Sequence, residues 1–440
     1  MRKRRLKRKI KFFICVVLIL LLIFLFCLFF QKDNQSSTLV QKKDYVSSIL
    51  SYNNNVFNKD FLEWIKSKYG VSVLEVLDSR LENGNYEDEF WHEVVGSSYI
   101  VLQDLYNEVY KMNDNFLVVD GKKDYVSISF AGDVSLADNW AIMPYYNSRK
   151  KGVLGILSEG MINYMQKQDF MIVNSEFAFS NRGSAMANKL YTFKANPDNV
   201  KVYDEMGVDM VTLANNHVYD YGKDAFLDTL DTFNNASIPY IGAGVNKAEA
   251  EDAYYLIING YKISFLNATR AEKYILTPEA LDNSPGVFRC YDSTRLSERI
   301  KEEKQVSDYV VVIVHWGKEN YHVLEDVQVE TGKIYIDSGA DMVIGHHAHV
   351  LQGVEFYNGK LIAYNLGNFI FNSLNVDTGI LSWNLKDNGE SEFYFYPGRQ
   401  KDCYTTEVTG EDAVSLYKKM TEWSVNALFL EDGKIIENNS

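Results

Sequence analysis

Five apolar runs that alternate with helical patterns and end in polar residues constrain this chain more than any other feature. They are YVSISFAGD (Tyr125–Asp133), FMIVNSE (Phe170–Glu176), DMVTLANNH (Asp209–His217), DYVVVIVHWG (Asp308–Gly317) and DMVIGHHAH (Asp341–His349). Continuous apolar runs of this length are strands buried on both faces. Between them the spacing predicts helices over 153–166, 197–207 with Pro197 in the first turn, 225–236, 294–305 and through 334–338. Asn259-Gly260 reads as a hairpin turn, as does Tyr357-Asn-Gly-Lys360, which opens an antiparallel tail. Strands alternating with helices give an α/β domain. Ligands of such sheets gather at the carboxyl ends of the strands. The polar residues there, Asp133, Asn174 with Glu176, Asn215 to His217, His315, and His347 with His349, are therefore expected to converge on one site.

Gly345 is expected to turn the backbone sharply after the last run, so that His347 and His349 leave the strand end together. Imidazole is the commonest protein ligand for a divalent transition metal. Carboxylates, one amide oxygen and imidazoles spread over five strands suit one or two borderline cations, Mn, Zn or Fe, with a carboxylate bridge. Thiolates take no part. Only Cys290 and Cys403 lie beyond the N-terminal apolar run, so at most one disulfide can form and the fold rests on its core.

The first eleven residues carry eight basic side chains and no acid, and 12–30 is an unbroken apolar run of nineteen. Nineteen helical residues reach about 28 Å, close to the ~30 Å hydrocarbon core. The flanking charge places the N-terminus in the cytoplasm and the main domain outside the cell membrane. FLFCLFFQKDNQSS offers no small-x-small cleavage site, so the segment reads as an uncleaved, single-pass signal anchor. Residues 31–120 follow as a polar tether and an extracytoplasmic helical region of three or four helices. The α/β domain spans 121–400, and 401–440 is a C-terminal extension. From residue 12 onward, 37 Lys plus Arg face 59 Asp plus Glu, a net charge of about −22. Such a domain repels nucleic acid, which is not expected as a partner. It also repels free polyanions, unless metal ions or local cations intervene.

AGDVSL, IVNSEFAF, YTFKANP, TLANNHVYDYG, YIGAG, VIVHWGKENY, IGHHAHVLQGVE and AYNLGNFIF run in order from about Tyr125 to Phe371. Together they resemble the successive blocks of the bacterial CapA family, the poly-gamma-glutamate capsule biosynthesis proteins, which is similar to calcineurin-like metallophosphoesterases. The resemblance implies a four-layer α/β/β/α sandwich with a dinuclear metal centre. It makes Asp133, Glu176 (bridging), Asn216, His315, His347 and His349 metal ligands. His217 would contact the substrate's developing charge or donate a proton, oriented by Asp220. Lys189, Lys194 and His346 are candidate substrate contacts, His346 otherwise a solvated neighbour. Asn174, Glu319, Tyr321 and Asn368 are candidate supports of the ligands. The chain departs from the phosphoesterase pattern at Ser135, where a histidine is usual, and at Asn174-Ser-Glu176.

Two functions follow from this reading. One is a membrane-anchored metal-dependent hydrolase of phosphoesters or amides. The other is a non-enzymatic subunit of a membrane capsule synthase and export complex that binds an anionic polymer such as poly-gamma-glutamate. A scaffold module with a vestigial site is a third reading, against which the complete ligand set argues.

Overall fold

A computed structural model describes residues 116–119, 124–258, 261–271 and 276–438. The basic tail, the expected anchor at 12–30, nearly all of the 31–120 region and the Asn259-Gly260 turn lie outside the described residues. Among the described residues no helix is long and apolar enough to cross a membrane. The chain divides into a smaller unit, residues 1–118 with 256–262, and a larger one, residues 119–255 with 263–440. What is described of the smaller unit, residues 116–118, 256–258 and 261–262, is extended chain.

Two sheets build the larger unit. In the first, Tyr125–Val134, Phe170–Ser175, Met210–Thr212 and Tyr240–Ile241 lie side by side and parallel. On the other side of Tyr125–Val134, Val376–Lys386 and Ser391–Lys401 continue the sheet antiparallel. In the second, Tyr309–Trp316 lies between Tyr261–Thr269 and Met342–His347, all parallel, with the Val354–Tyr357 and Lys360–Ala363 hairpin beyond. Side chains alternate across each strand, so the two parities meet different partners. Met171, Val173 and Val211 join a core with Met165, Phe226, Leu230 and Phe233 from the helices Glu159–Met165 and Gly222–Ala236. Phe170, of the other parity, meets Phe265 of the second sheet at 5.7 Å, and Trp383 meets Tyr309 at 5.3 Å. The helices Thr294–Lys304 and Asp326–Asp337 pack on Tyr309–Trp316 and Met342–His347. The fold is mixed α/β with several sheets, and burial of its central strands on both faces accounts for their unbroken apolar runs.

The structure departs from expectation locally. Residues 153–166 do not form one helix. Gly152–Gly155 makes a 3-10 turn, and Ser158 starts a new helix, its hydroxyl accepting from Met161 N at 3.2 Å. Asn368–Ile370, expected in an antiparallel tail, pairs parallel with Tyr125–Val134. Beyond residue 401, Tyr404–Glu407 and Lys434–Glu437 extend the first sheet, while Val425 exchanges hydrogen bonds with Val354 and Phe356 at the edge of the second. Cys290 and Cys403 are both buried and unpaired.

Candidate metal centre

Each strand end has a local reason to stand where it does. A Cβ on Gly132 would lie 1.9 Å from Gly367 O. Only glycine lets that loop approach, and the strand bulges there so that Asp133 N donates to Gly367 O at 2.9 Å. Glu176 extends its strand by one bond, from its N to Val134 O at 2.9 Å. Asn215 turns the chain: its Oδ1 accepts from His217 N and Val218 N, both at 3.0 Å, while its Nδ2 donates to Ser175 O at 2.8 Å. This side-chain turn aims Asn216 and His217 at the strand ends.

Gly345 makes no turn. It stays within Met342–His347, paired with Val314, and a Cβ there would lie 1.8 Å from Tyr364 O. The backbone turns later, at His347 (φ 96°) and His349 (φ 58°). Left-handed backbone is uncommon for a residue with a Cβ and marks a site held by its surroundings.

Glu176 Oε1 stands at the centre of the converging side chains. It has no hydrogen-bond partner, and three ring nitrogens surround it: His315 Nε2 at 3.5 Å, His349 Nε2 at 3.8 Å and His217 Nε2 at 3.9 Å. These separations are too long for hydrogen bonds. They match two ligand atoms sharing one ion, since atoms about 2.1 Å from a metal at tetrahedral angles lie about 3.4 Å apart. Asn216 Oδ1 meets His315 Nε2 at 2.8 Å. Asp133 stands nearby, its Oδ2 3.3 Å from His349 Nδ1 and its Oδ1 3.5 Å from His346 Nδ1. Two sets of donor atoms, Glu176 with His347 and His349, and Asp133 with Glu176 and His315, are close enough to hold a cation, and they share Glu176.

Other side chains fix these donors. Asn174 Nδ2 bridges Asp133 Oδ1 at 2.8 Å and Glu176 Oε2 at 3.2 Å. Asn368 Oδ1 meets His349 Nδ1 at 2.8 Å, and Asp220 Oδ2 meets His217 Nδ1 at 2.7 Å. Such partners orient ligand rings and set their tautomers. Phe193 lies 4.4 Å from the His217 ring and Phe371 4.6 Å from the His349 ring, walls of the site that the blocks YTFKANP and AYNLGNFIF contain but do not mark as such.

The electrostatics are those of a site built around positive charge. Burial raises the Asp133 carboxyl, but the His346 and His349 rings beside it outweigh that and hold Asp133 well below the usual carboxylate range. Glu176 goes the other way: burial, then the charge of Asp133, pushes it well above that range. Burial, reinforced by His347, drives His315 well below the usual imidazole range. Burial with the influence of His349 takes His347 down to about 3. Both rings stay neutral, which is the metal-binding form. An unpartnered buried carboxylate oxygen facing three imidazole nitrogens, His315 among them held neutral by burial, fits a divalent cation.

Not every expected residue joins this group. Lys189 is buried, but its amine is engaged by Asp220 Oδ1 at 2.8 Å and by Asn216 O. Lys194 donates to Arg182 O at 3.0 Å and covers the Tyr221 ring. His346, expected as solvated or in contact with substrate, is buried within its strand. Glu319 is exposed and reaches Glu176 and His349 only through its charge. Tyr321 is half exposed beneath Lys318.

Residues 127–373 match the family described as bacterial capsule synthesis protein PGA_cap. The chain belongs to that family. Every residue of the centre lies within the matched stretch. PGA_cap relatives include the PGA biosynthesis protein CapA of Bacillus subtilis (strain 168), 30% identical over 323 residues, 71% of this chain and 82% of that protein. The capsule biosynthesis protein CapA of Bacillus anthracis is 30% identical over 269 residues, 59% of this chain and 65% of that one. A probable polyglutamine synthesis accessory protein of Mycobacterium tuberculosis is 26% identical over 211 residues, 46% of this chain and 55% of its own.

Proposed function

We propose that this PGA_cap chain is a membrane-anchored, extracytoplasmic protein of poly-gamma-glutamate capsule synthesis whose centre holds one or two divalent metal ions and hydrolyses phosphoester or amide bonds. The observation that carries the reading is Glu176 Oε1, buried, without a hydrogen bond, and ringed by three imidazole nitrogens at 3.5 to 3.9 Å. The names of the Bacillus relatives support the polymer. The basic tail and apolar run at 1–30 support the anchor. The packing of helices on two facing sheets supports a four-layer α/β/β/α sandwich of the metallophosphoesterase type.

Glu176 would be shared, with His347 and His349 in one donor set and Asp133 and His315 in the other, Asn216 standing beside His315. The chemistry that cations held there supply is Lewis-acid polarisation of the scissile bond and acidification of a water. His217 does the proton work. Asp220 takes the Nδ1 side of its ring, so Nε2 faces the centre, able to deliver a proton to a leaving group. Lys189 holds the other oxygen of Asp220 and so fixes the dyad rather than clamping the substrate. Phe193 and Phe371 keep water from one flank of the two rings.

Elemental analysis of the full-length chain in detergent tests the reading, beside a His347→Ala, His349→Ala double substitution. One to two ions per wild-type chain, lost in the double variant, is the expected result, and phosphoesters and gamma-glutamyl amides are then the substrates to assay. A folded wild-type chain that takes up no metal after supplementation would overturn the hydrolase. It would leave a polymer-binding subunit of an export complex.

A further inference from the structure

We propose that His346 is itself a metal ligand, binding through Nδ1 the same cation as Asp133; this rests on the metal-centre reading above. His346 is in register with His315 on the neighbouring parallel strand, so both rings leave the same face of the sheet. It is 1% exposed, and its Nδ1 has no hydrogen-bond partner. That nitrogen lies 3.5 Å from Asp133 Oδ1, too far for a hydrogen bond and at the spacing of two ligands on one ion. Asp133 Oδ1 already accepts from Asn174 Nδ2 at 2.8 Å, so it does not need His346 as a donor.

The rest of the neighbourhood assigns the ring its role. His349 Nδ1 is committed to Asn368 Oδ1, which leaves only His349 Nε2 for the centre, on the Glu176 side. The Tyr125–Val134 strand and the two residues after it supply no imidazole: Ser135 is buried and its hydroxyl is unpartnered. The donor group at Asp133 is Asp133, Glu176 and His315, while His349 Nε2 groups with His347 and Glu176. His346 Nδ1 is the unspent nitrogen that completes four protein ligands, the number that tetrahedral sites take. The third histidine of the His346-His347-Ala348-His349 run becomes part of the centre instead of a neighbour.

The test uses the full-length chain in detergent, labelled with 15N-histidine and loaded with Co²⁺, which shifts the N–H signals of coordinated imidazoles far outside the diamagnetic range. Four shifted imidazole N–H groups are expected in the wild type, from His315, His346, His347 and His349. His346→Gln keeps a polar side chain of similar length that is a poor ligand. It should show three, with Co²⁺ bound at least tenfold more weakly at one of the sites. A lost partner of another ligand also weakens binding by such a factor, so the count of shifted groups decides. Three groups in the wild type, or an unchanged count in His346→Gln, would overturn the assignment while leaving the metal centre intact. A wild-type chain that binds no Co²⁺ would overturn the centre itself. If His346→Gln does not fold, the wild-type count alone decides.

Discussion

Gly345→Ala should unfold the centre without touching a ligand. The added Cβ would stand 1.8 Å from Tyr364 O and 2.5 Å from Trp316 Nε1, where ordinary contact begins at 3.4 Å. Both obstacles are fully buried, and they are bonded to each other, Trp316 Nε1 donating to Tyr364 O at 2.9 Å. The strand must therefore separate from its neighbours by about 1.5 Å, or that hydrogen bond must break. Overpacking a core costs about 1–3 kcal/mol. A buried donor left unpaired costs about 1–3 kcal/mol more. Together they come to about 2–6 kcal/mol. With an unfolding entropy of about 2.1 cal/mol/K per residue over roughly 300 residues, the melting temperature falls by about 3–10 °C. His346 and His347 follow directly in the strand, and functional constellations tolerate about 0.5 Å of misplacement. Metal content should fall together with stability. Scanning calorimetry and elemental analysis on one preparation check both. A variant that melts within 1 °C of the wild type and keeps its metal would refute the close-approach account and restore Gly345 to an ordinary strand position.

Asn368→Ala removes the acceptor of His349 Nδ1, and metal affinity measured by chelator competition should drop about 10- to 100-fold with little change in fold. Asp209 is raised to about 6, chiefly by burial and against the hydrogen bond it takes from Met171 N. Its folded value lies above an unfolded value of about 3.9, so the stability it contributes is full below pH 4 and is lost as the pH rises through 6. Asp209→Asn keeps an acceptor for Met171 and should gain about 3 kcal/mol over the wild type at pH 7 and nothing at pH 4; equal differences at both pH values in denaturant melts would count against it. Stripping the metal should also abolish binding of poly-gamma-glutamate in a low-salt pull-down, because the domain is otherwise a net anion. Equal binding before and after chelation would place the polymer elsewhere.

The parts of this protein legible in its sequence are those set by local pattern. Val310 to Val314 reads as a strand because burial on both faces leaves nothing polar to interrupt it. Glu176, Asn216, His315 and His347 could be grouped because polar residues at the ends of such runs have no solvent to face except at the sheet edge. What was hidden depends on partners distant in the chain. Gly132 looks like any glycine before an aspartate until Gly367 O is found 1.9 Å from its missing Cβ. Gly345 looks like a turn because Tyr364, which forbids its side chain, follows nineteen residues later. Lys189 resembles an anion clamp because sequence shows an amine and not the Asp220 carboxylate that occupies it. The break before Glu159 was missed for a different reason: Ser158 fits a helix interior as easily as a cap, and only its bond to Met161 N settles which it is.

The centre's charge explains why these long-range contacts are so exacting. Asp133 and Glu176 are both wholly buried and tied to the same amide, Asn174 Nδ2, so their oxygens cannot move apart. Two buried carboxylates held close cannot both ionise without compensation. Among the nearby cationic side chains, Lys189 is spent on Asp220, and His315 and His347 stay neutral. Without a cation the pair divides its roles, with Asp133 ionised by its two histidines and Glu176 pushed toward the protonated form. A divalent ion held there would reverse that division, favouring the carboxylate form of Glu176 and giving the orphaned donors a partner. Such an ion would be a concentrated positive charge at the ends of the strands of an acidic domain. Within a Debye length of about 8 Å, that is where an anionic substrate would be held.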